Sequence, residues 1–269
     1  MIMRNFYHFN SRDHVSVINL SDICYYNNNT CDNCSMKRII ISDTHIGSKF
    51  YKSDELLAFL KTEMYDELIL AGDIIDFIKI PVFTRRCLEI ISSVDYDKKI
   101  IYVVGNHDES LLNLIGKNVH NVEFVKRYEF ESFGRTFRIE HGDEYDKGVL
   151  HNRIFVKFLS IMQGILEFTF NFDFTTWWTE KQIKKHKLRS VIHILRHNPD
   201  VDVFVMGHTH IPEALIWIDE NQSIKTYINA GDWVTHQTYV TITNGVARLK
   251  KFDPTSGATL ADASLNHIE

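Results

Sequence analysis

The chain has no uninterrupted apolar run approaching the roughly 18 residues that a membrane-spanning helix needs. Its first thirty residues lack the charged-then-apolar plan of a secretory leader. The expected address is therefore cytoplasmic. Cysteine is scarce, with only Cys24, Cys31, Cys34 and Cys87. Cys31 and Cys34 have the spacing of half a zinc site, but no second Cys or His pair follows at finger spacing, so free thiols in a reducing compartment are expected. A basic excess is also missing. A net charge of −5 argues against a general nucleic-acid binder, and no nucleic-acid partner is expected. There is no internal repeat, and no low-complexity tract beyond Asn27–Asn29.

What is present is the ordinary material of a globular protein. With 269 residues, 44% hydrophobic and 24% charged, the chain fits one large domain, or a domain with an inserted piece. Residues 1–35 are rich in Asn, Tyr and Ser and show no sustained apolar period, so they read as a poorly ordered extension. The alternative is a short hairpin around VSVINL, lying on the edge of the body. From Met36 to residue 269 the pattern is that of a single domain. Apolar runs at 38–42, 67–72 and 99–105 alternate with helical patterns near 53–64 and 82–94, which predicts βαβ units feeding one sheet. Further strands are expected at about 122–133, 136–141 and 202–206, then in ALIWID, IKTYINAG and a closing pair near 238–243 and 246–252. Between them, residues 147–197 form a helix-rich, aromatic insert. It holds nine Lys or Arg against three Asp or Glu, so this stretch is +6 and the remainder of the chain −11.

The polar residues gather where the strands end. Ligands of open α/β sheets collect at the carboxyl ends of strands, and five strands here finish in Asp43-Thr-His45, Gly72-Asp73-Ile-Ile-Asp76, Gly105-Asn106-His107-Asp108, His141-Gly-Asp143 and Gly207-His208-Thr-His210. Each motif alone has a plain structural explanation, such as a turn, an N-cap aspartate or a satisfied histidine pair. All five together put many ionisable groups on one rim, and burying them costs several kcal/mol per ion, of order, unless an opposite charge lies between them. A divalent cation supplies that charge. Imidazole mixed with carboxylate suits Mn, Fe, Ni, Co or Zn, and the donors suffice for two ions able to neutralise a phosphoryl group during in-line displacement. Alternation along an extended strand would turn His208 and His210 to the same side, each to reach a different ion.

These blocks resemble the calcineurin-like metallophosphoesterases, whose D-x-H, G-D-x-x-D, G-N-H-[DE], lone H and G-H-x-H match Asp43/His45, Asp73/Asp76, Asn106/His107/Asp108, His141 and His208/His210 over about residues 37–252. The resemblance implies an α/β fold, a four-layer αββα sandwich, with a dinuclear site holding manganese first, and iron, zinc, nickel or cobalt as alternatives. It assigns Asp43, His45 and His210 to one metal, Asn106, His141 and His208 to the other, and Asp73 to the bridge. His107 and Asp76 become the catalytic pair: His107 faces the phosphate, and Asp76 sets its tautomer.

The stretch YINAGDWV (227–234) resembles one branch of that family, the UDP-2,3-diacylglucosamine pyrophosphohydrolases of lipid A synthesis, which also carry a helical lid where residues 147–197 fall. The insert suits an anionic, partly apolar ligand. Trp177 and Trp178 follow a phenylalanine-rich run, and Lys181, Lys185 and Arg189 recur at i, i+4, i+8 beside Lys184. These six residues are the candidate substrate contacts, and the same surface could touch an anionic membrane, such as the inner membrane. The plain alternative is a subdomain core with a solvated basic face. The enterobacterial-type lipid A enzymes resemble G-N-R-D at the third block, whereas His107 stands here, as in the broader family. Phe77 and Ile78 after Asp76 depart from the phosphoprotein phosphatase extension. The expectation is a hydrolase of a phosphodiester or pyrophosphate bond in a phosphorylated small molecule or lipid-linked nucleotide. The alternatives are a general phosphodiesterase or phosphatase, or a non-catalytic scaffold with this fold.

Overall fold

A computed structural model describes residues 7–8, 36–77, 84–145, 191–218 and 223–254. The strands are β1 (Tyr7–His8), β2 (Arg38–Ile41), β3 (Glu67–Ala71), β4 (Lys99–Val103), β5 (Asn118–Val119), β6 (Val122–Val125), β7 (Arg127–Ser132), β8 (Arg135–Glu140), β9 (Val203–Met206), β10 (Glu213–Ile218), β11 (Ile224–Asn229), β12 (Thr238–Thr243) and β13 (Val246–Lys251). They form a seven-stranded sheet in the order β13-β12-β2-β3-β4-β6-β5 and a six-stranded sheet in the order β1-β10-β11-β9-β8-β7. In the first, β2, β3, β4 and β6 run parallel. In the second, β8, β9 and β11 do.

Two sheets rather than one follow from which faces the side chains can bury. Ile40 of β2, Ile69 of β3 and Ile101 of β4 meet Phe137, Ile139, Val203 and Val205 of the other sheet, forming a core between the two layers. Their neighbours Ile39, Ile41, Leu68 and Ile100 point the opposite way, under helices α1 (Ser53–Thr62) and α2 (Arg85–Ser92). Phe204 and Met206 of β9 likewise face Val191, Ile194 and Leu195 of a helical stretch at 191–197. The order is thus helix, sheet, sheet, helix. Strands covered on both faces read as continuous apolar runs, as RIII and VFVM do here. α1 sets Leu56, Leu57, Phe59 and Leu60 on one side, with Asp54 and Glu55 in its first turn and Lys61 in its last, matching the helix dipole.

The run 122–133, expected as one strand, is two. β6 belongs to the seven-stranded sheet and β7 to the other, with Lys126 at the crossing. Val122 and Phe124 pack in the core under the helices, and Val125, Tyr128 and Phe130 in the core between the sheets. No glycine or proline marks the break, and only Lys126 interrupts the apolar alternation. Tyr7 and His8 pair with Ile216 and Leu215 at the edge of the six-stranded sheet. The rest of the N-terminal extension, including VSVINL, Cys31 and Cys34, lies outside the described residues, as does most of the insert. Among the described residues, no helix is long and apolar enough to cross a membrane.

Candidate metal centre

The carboxyl ends of β2, β3, β4, β8 and β9 open on one rim, and all five polar blocks meet there. The chain leaves the strands abruptly. Asp43, His45, Asp73, His208 and His210 all adopt left-handed backbone, with φ of 51°, 46°, 54°, 66° and 59°. Each such non-glycine residue costs about 1–2 kcal/mol, so the rim stores strain that the surrounding sheet must hold. Two glycines permit the crowding. A Cβ at Gly72 (φ 86°) would overlap the ring of His141, and one at Gly207 would overlap Ser42 Oγ and Asp43 Oδ2.

Asp43 is fully buried, and its two oxygens differ. Oδ2 accepts from Ser42 Oγ (2.6 Å) and from the His208 backbone N–H (2.9 Å). Oδ1 has no hydrogen-bond partner. It lies 3.3 Å from His210 Nε2 and 3.9 Å from His45 Nε2, and these two nitrogens are 3.3 Å apart. Burial, then the neighbouring His107 and His210, push the His45 imidazole down to about 3, so it is neutral. Burial works against a charged His210 as well, but the carboxylates of Asp43 and Asp232 together outweigh it and raise that ring to about 9.

A second convergence lies beside it. His141 Nδ1 donates to the Ala71 carbonyl (3.0 Å), which fixes that nitrogen as the N–H and aims Nε2 at Asp73 Oδ2 and Asn106 Oδ1, each 3.1 Å away. A neutral ring would set its lone pair against two other acceptors. Burial disfavours the charged ring, yet Asp73 beside it raises His141 to about 10. For Asp73, the burial penalty is overcome by His141 and His107, which hold its carboxyl well below the usual carboxylate range. His208 completes the group, its ring 5.2 Å from that of His141. The ligand atoms of Asp43, His45 and His210, and those of Asp73, His141 and His208, each lie within 4.8 Å of one another. Buried oxygens and imidazole nitrogens pointed at common centres are what a divalent cation requires, and the mixed donor set fits a borderline metal. The residues present therefore fit the implied ions.

His107 and Asp76 also meet. His107 Nδ1 is 3.2 Å from Asp76 Oδ1, and Nε2 stands 3.8 Å from Asp73 Oδ2. Burial would lower the His107 ring, but Asp73 and Asp76 together raise it. The loop that carries it is anchored by Asp73 Oδ1, which accepts the His107 backbone N–H at 2.7 Å.

Three contributors were given no role from the sequence, although Asp108 and Asp232 stand within its motifs. Ser42 steadies Asp43. Asp108, buried behind the rim, accepts from Tyr102 Oη (2.9 Å), Ile75 N (3.2 Å), Ile74 N (3.3 Å) and Gly105 N (3.4 Å), tying the loop after β3 to the loop after β4. Burial, and then the charge of Asp73, raise its carboxyl to about 6. Asp232 follows β11, and its Oδ1 accepts from the backbone N–H groups of Thr235 (2.6 Å), Val234 (2.9 Å) and His236 (3.0 Å). Its Oδ2 meets His236 Nδ1 at 3.0 Å and stands 3.6 Å from His210 Nδ1. The strand-end rule that picked out the other blocks applies equally to Asp232. Its neighbour Trp233 is core, buried against Phe59, with ring centroids 4.7 Å apart. The lid candidates Trp177, Trp178, Lys181, Lys184, Lys185 and Arg189 lie outside the described residues.

The profile of the calcineurin-like phosphoesterases matches residues 36–212. The chain belongs to that family. A UDP-2,3-diacylglucosamine hydrolase of Porphyromonas gingivalis is similar to it, with 22% identity over 249 residues, 74% of this chain and 90% of that protein. Among solved structures, the E. coli phosphoesterase Yfce aligns over 86% of this chain and 100% of its own at 14% identity and a TM-score of 0.42. Wild-type Vps29 of Entamoeba histolytica, complexed with Zn2+, aligns over 85% and 95% at 12% identity and a TM-score of 0.43.

Proposed function

We propose that this protein is a hydrolase that uses two divalent metal ions, manganese first among them, to cleave a phosphodiester or pyrophosphate bond. The observation that carries the reading is the pair of convergences in which Asp43 Oδ1, His45 Nε2 and His210 Nε2, and then Asp73 Oδ2, Asn106 Oδ1 and His141 Nε2, point buried ligand atoms at common centres. When bound, such ions supply Lewis-acid charge for phosphoryl oxygens and lower the pKa of water. The chain's own residues do the rest. In this reading Asp43, His45 and His210 would hold one ion and Asn106, His141 and His208 the other, with Asp73 serving both. Asp76 accepts a hydrogen bond from Nδ1–H of His107, and Asp73 and Asp76 together favour the imidazolium form of that ring. Its Nε2–H gives its proton to the departing oxygen and leaves the neutral ring.

The substrate we propose is a nucleotide-linked lipid or sugar precursor such as UDP-2,3-diacylglucosamine, split by water into UMP and the acylated sugar 1-phosphate. Support comes from the relative of that name, which this chain matches over most of both lengths. In this reading Trp177 and Trp178 receive the acyl chains, Lys181, Lys184, Lys185 and Arg189 the diphosphate, and the enzyme works in the cytoplasm at a membrane face.

The first test is hydrolysis of bis(p-nitrophenyl) phosphate with added manganese by wild type, His107→Ala and Asp73→Asn. Losses of about 10²- to 10⁴-fold are expected for His107→Ala, with a deeper loss for Asp73→Asn. Equal rates in all three remove the enzyme reading. The second test is UMP release from UDP-2,3-diacylglucosamine. Cleavage of simple diesters without UMP release leaves a general phosphodiesterase.

A further inference from the structure

We infer that Asp232 is the positioning residue of one of the two metal centres: its carboxylate sets His210 in the tautomer with the proton on Nδ1, so that Nε2 is free to ligate. The inference rests on the two-metal reading above and assigns a role to a residue outside the five family blocks.

Three observations carry it. First, Asp232 Oδ2 is the carboxylate oxygen that His210 Nδ1 faces, at 3.6 Å, and this buried nitrogen has no hydrogen-bond partner. At that distance the contact is electrostatic rather than a formed hydrogen bond. A lone pair on the buried Nδ1 would face a negative charge, whereas an N–H there is attracted. The charge therefore selects the tautomer. Second, the far nitrogen, Nε2, is the one that meets Asp43 Oδ1 and His45 Nε2, so the tautomer decides whether the ring offers a lone pair or a proton to the centre. Third, Asp232 cannot swing away. Its side chain is fully buried, Oδ1 holds the backbone N–H groups of Val234, Thr235 and His236, and His236 Nδ1 donates to Oδ2. Carboxylates behind ligating histidines orient the ring and raise its basicity, and removing one typically costs about 10- to 100-fold in metal affinity.

Asp232→Asn isolates the role. Asparagine keeps an oxygen for the three backbone donors but presents an NH2 group to both His236 Nδ1 and His210 Nδ1, which then accept, placing the His210 ring proton on Nε2 against Asp43. Calorimetric titration of chelator-stripped protein with Mn2+ is expected to show two sites in wild type. In Asp232→Asn one site should weaken by about 10- to 100-fold and the other remain unchanged, with circular dichroism and melting of the metal-free form preserved. A measurement on wild type alone covers a variant that does not fold. In the zinc-loaded protein, long-range ¹⁵N–¹H correlation should place the His210 proton on Nδ1. Two unaltered sites in a folded Asp232→Asn, or a proton on Nε2 in the zinc-loaded wild type, overturns the inference. Absence of both sites in wild type instead overturns the metal reading itself.

Discussion

Loading the metal-free protein with a divalent cation should release about two protons, one from each centre. The expectation comes from the two raised imidazoles. His141 lies at about 10 and His210 at about 9, both far above the ordinary histidine value of about 6.5. At pH 7 both are therefore protonated, and the proton on each Nε2 occupies the direction in which a metal would bind. A ligand must lose its proton to coordinate. One pKa unit corresponds to a factor of ten, so proton competition at pH 7 lowers the apparent affinity by about a thousandfold at the His141 centre and about a hundredfold at the His210 centre. The assay is calorimetric titration with Mn2+ at pH 7 in buffers of different ionisation enthalpy, Hepes and Tris. The slope of observed enthalpy against buffer enthalpy counts the protons. A slope near zero would show that the rings are already neutral without metal, and the account of a proton standing in for a cation would be wrong.

The same shifts fix a stability trend. Both folded-state values are raised, so their contribution to the metal-free fold is complete below about pH 6.5. It is lost as pH climbs through about 9 and about 10. The metal-free protein should melt at a lower temperature at pH 10 than at pH 7, with a smaller drop once it is loaded.

Two substitutions test how the rim is held. Asp108→Ala strips the shared acceptor from Tyr102 Oη and the backbone N–H groups of Ile74, Ile75 and Gly105. Losing a buried network of this kind should cost about 3 kcal/mol or more, read by chemical denaturation; a change under about 1 kcal/mol would refute the hub role. Gly207→Ala forces a methyl group onto Ser42 Oγ and Asp43 Oδ2. Overpacking of this sort typically costs about 1–3 kcal/mol. Melting should show that loss together with weaker Mn2+ binding at the Asp43 centre, and unaltered binding would mean that the rim yields more easily than the contact implies.

The sequence made the site legible because chemistry of this kind leaves local marks. A strand covered on both faces writes a continuous apolar run, and the first polar residues after it must sit at the rim. RIII before Ser42-Asp43 and VFVM before Gly207-His208 are instances. What stayed hidden is information that alternation does not encode. The β6–β7 crossing exchanges one sheet for the other with no glycine or proline and only Lys126 breaking the apolar alternation, so the pairing partners are what reveal it. Asp232 was visible as part of a block, but its task depends on where the neighbouring strand brings His210. That is a long-range fact, set by β11 lying beside β9.

The pair His208 and His210 shows where the reasoning needed coordinates. Alternation in an extended strand would send both rings to the same side. Yet β9 ends at Met206, and both histidines lie beyond it in left-handed backbone, at φ of 66° and 59°. The turns separate them: His208 groups with Asp73 and His141, and His210 with Asp43 and His45. Asp43 and His45 use the same device at the end of β2, with φ of 51° and 46°. Strain of about 1–2 kcal/mol per residue at several neighbouring positions persists only where the surroundings over-determine it. Here those surroundings are the Asp108 cross-tie, the Asp43 contact to the His208 N–H and the Asp232 anchor, all holding ligand atoms in place. A preorganised rim of this kind spends fold stability on geometry, so loosening any one tie should harm cation binding before it unfolds the sheets.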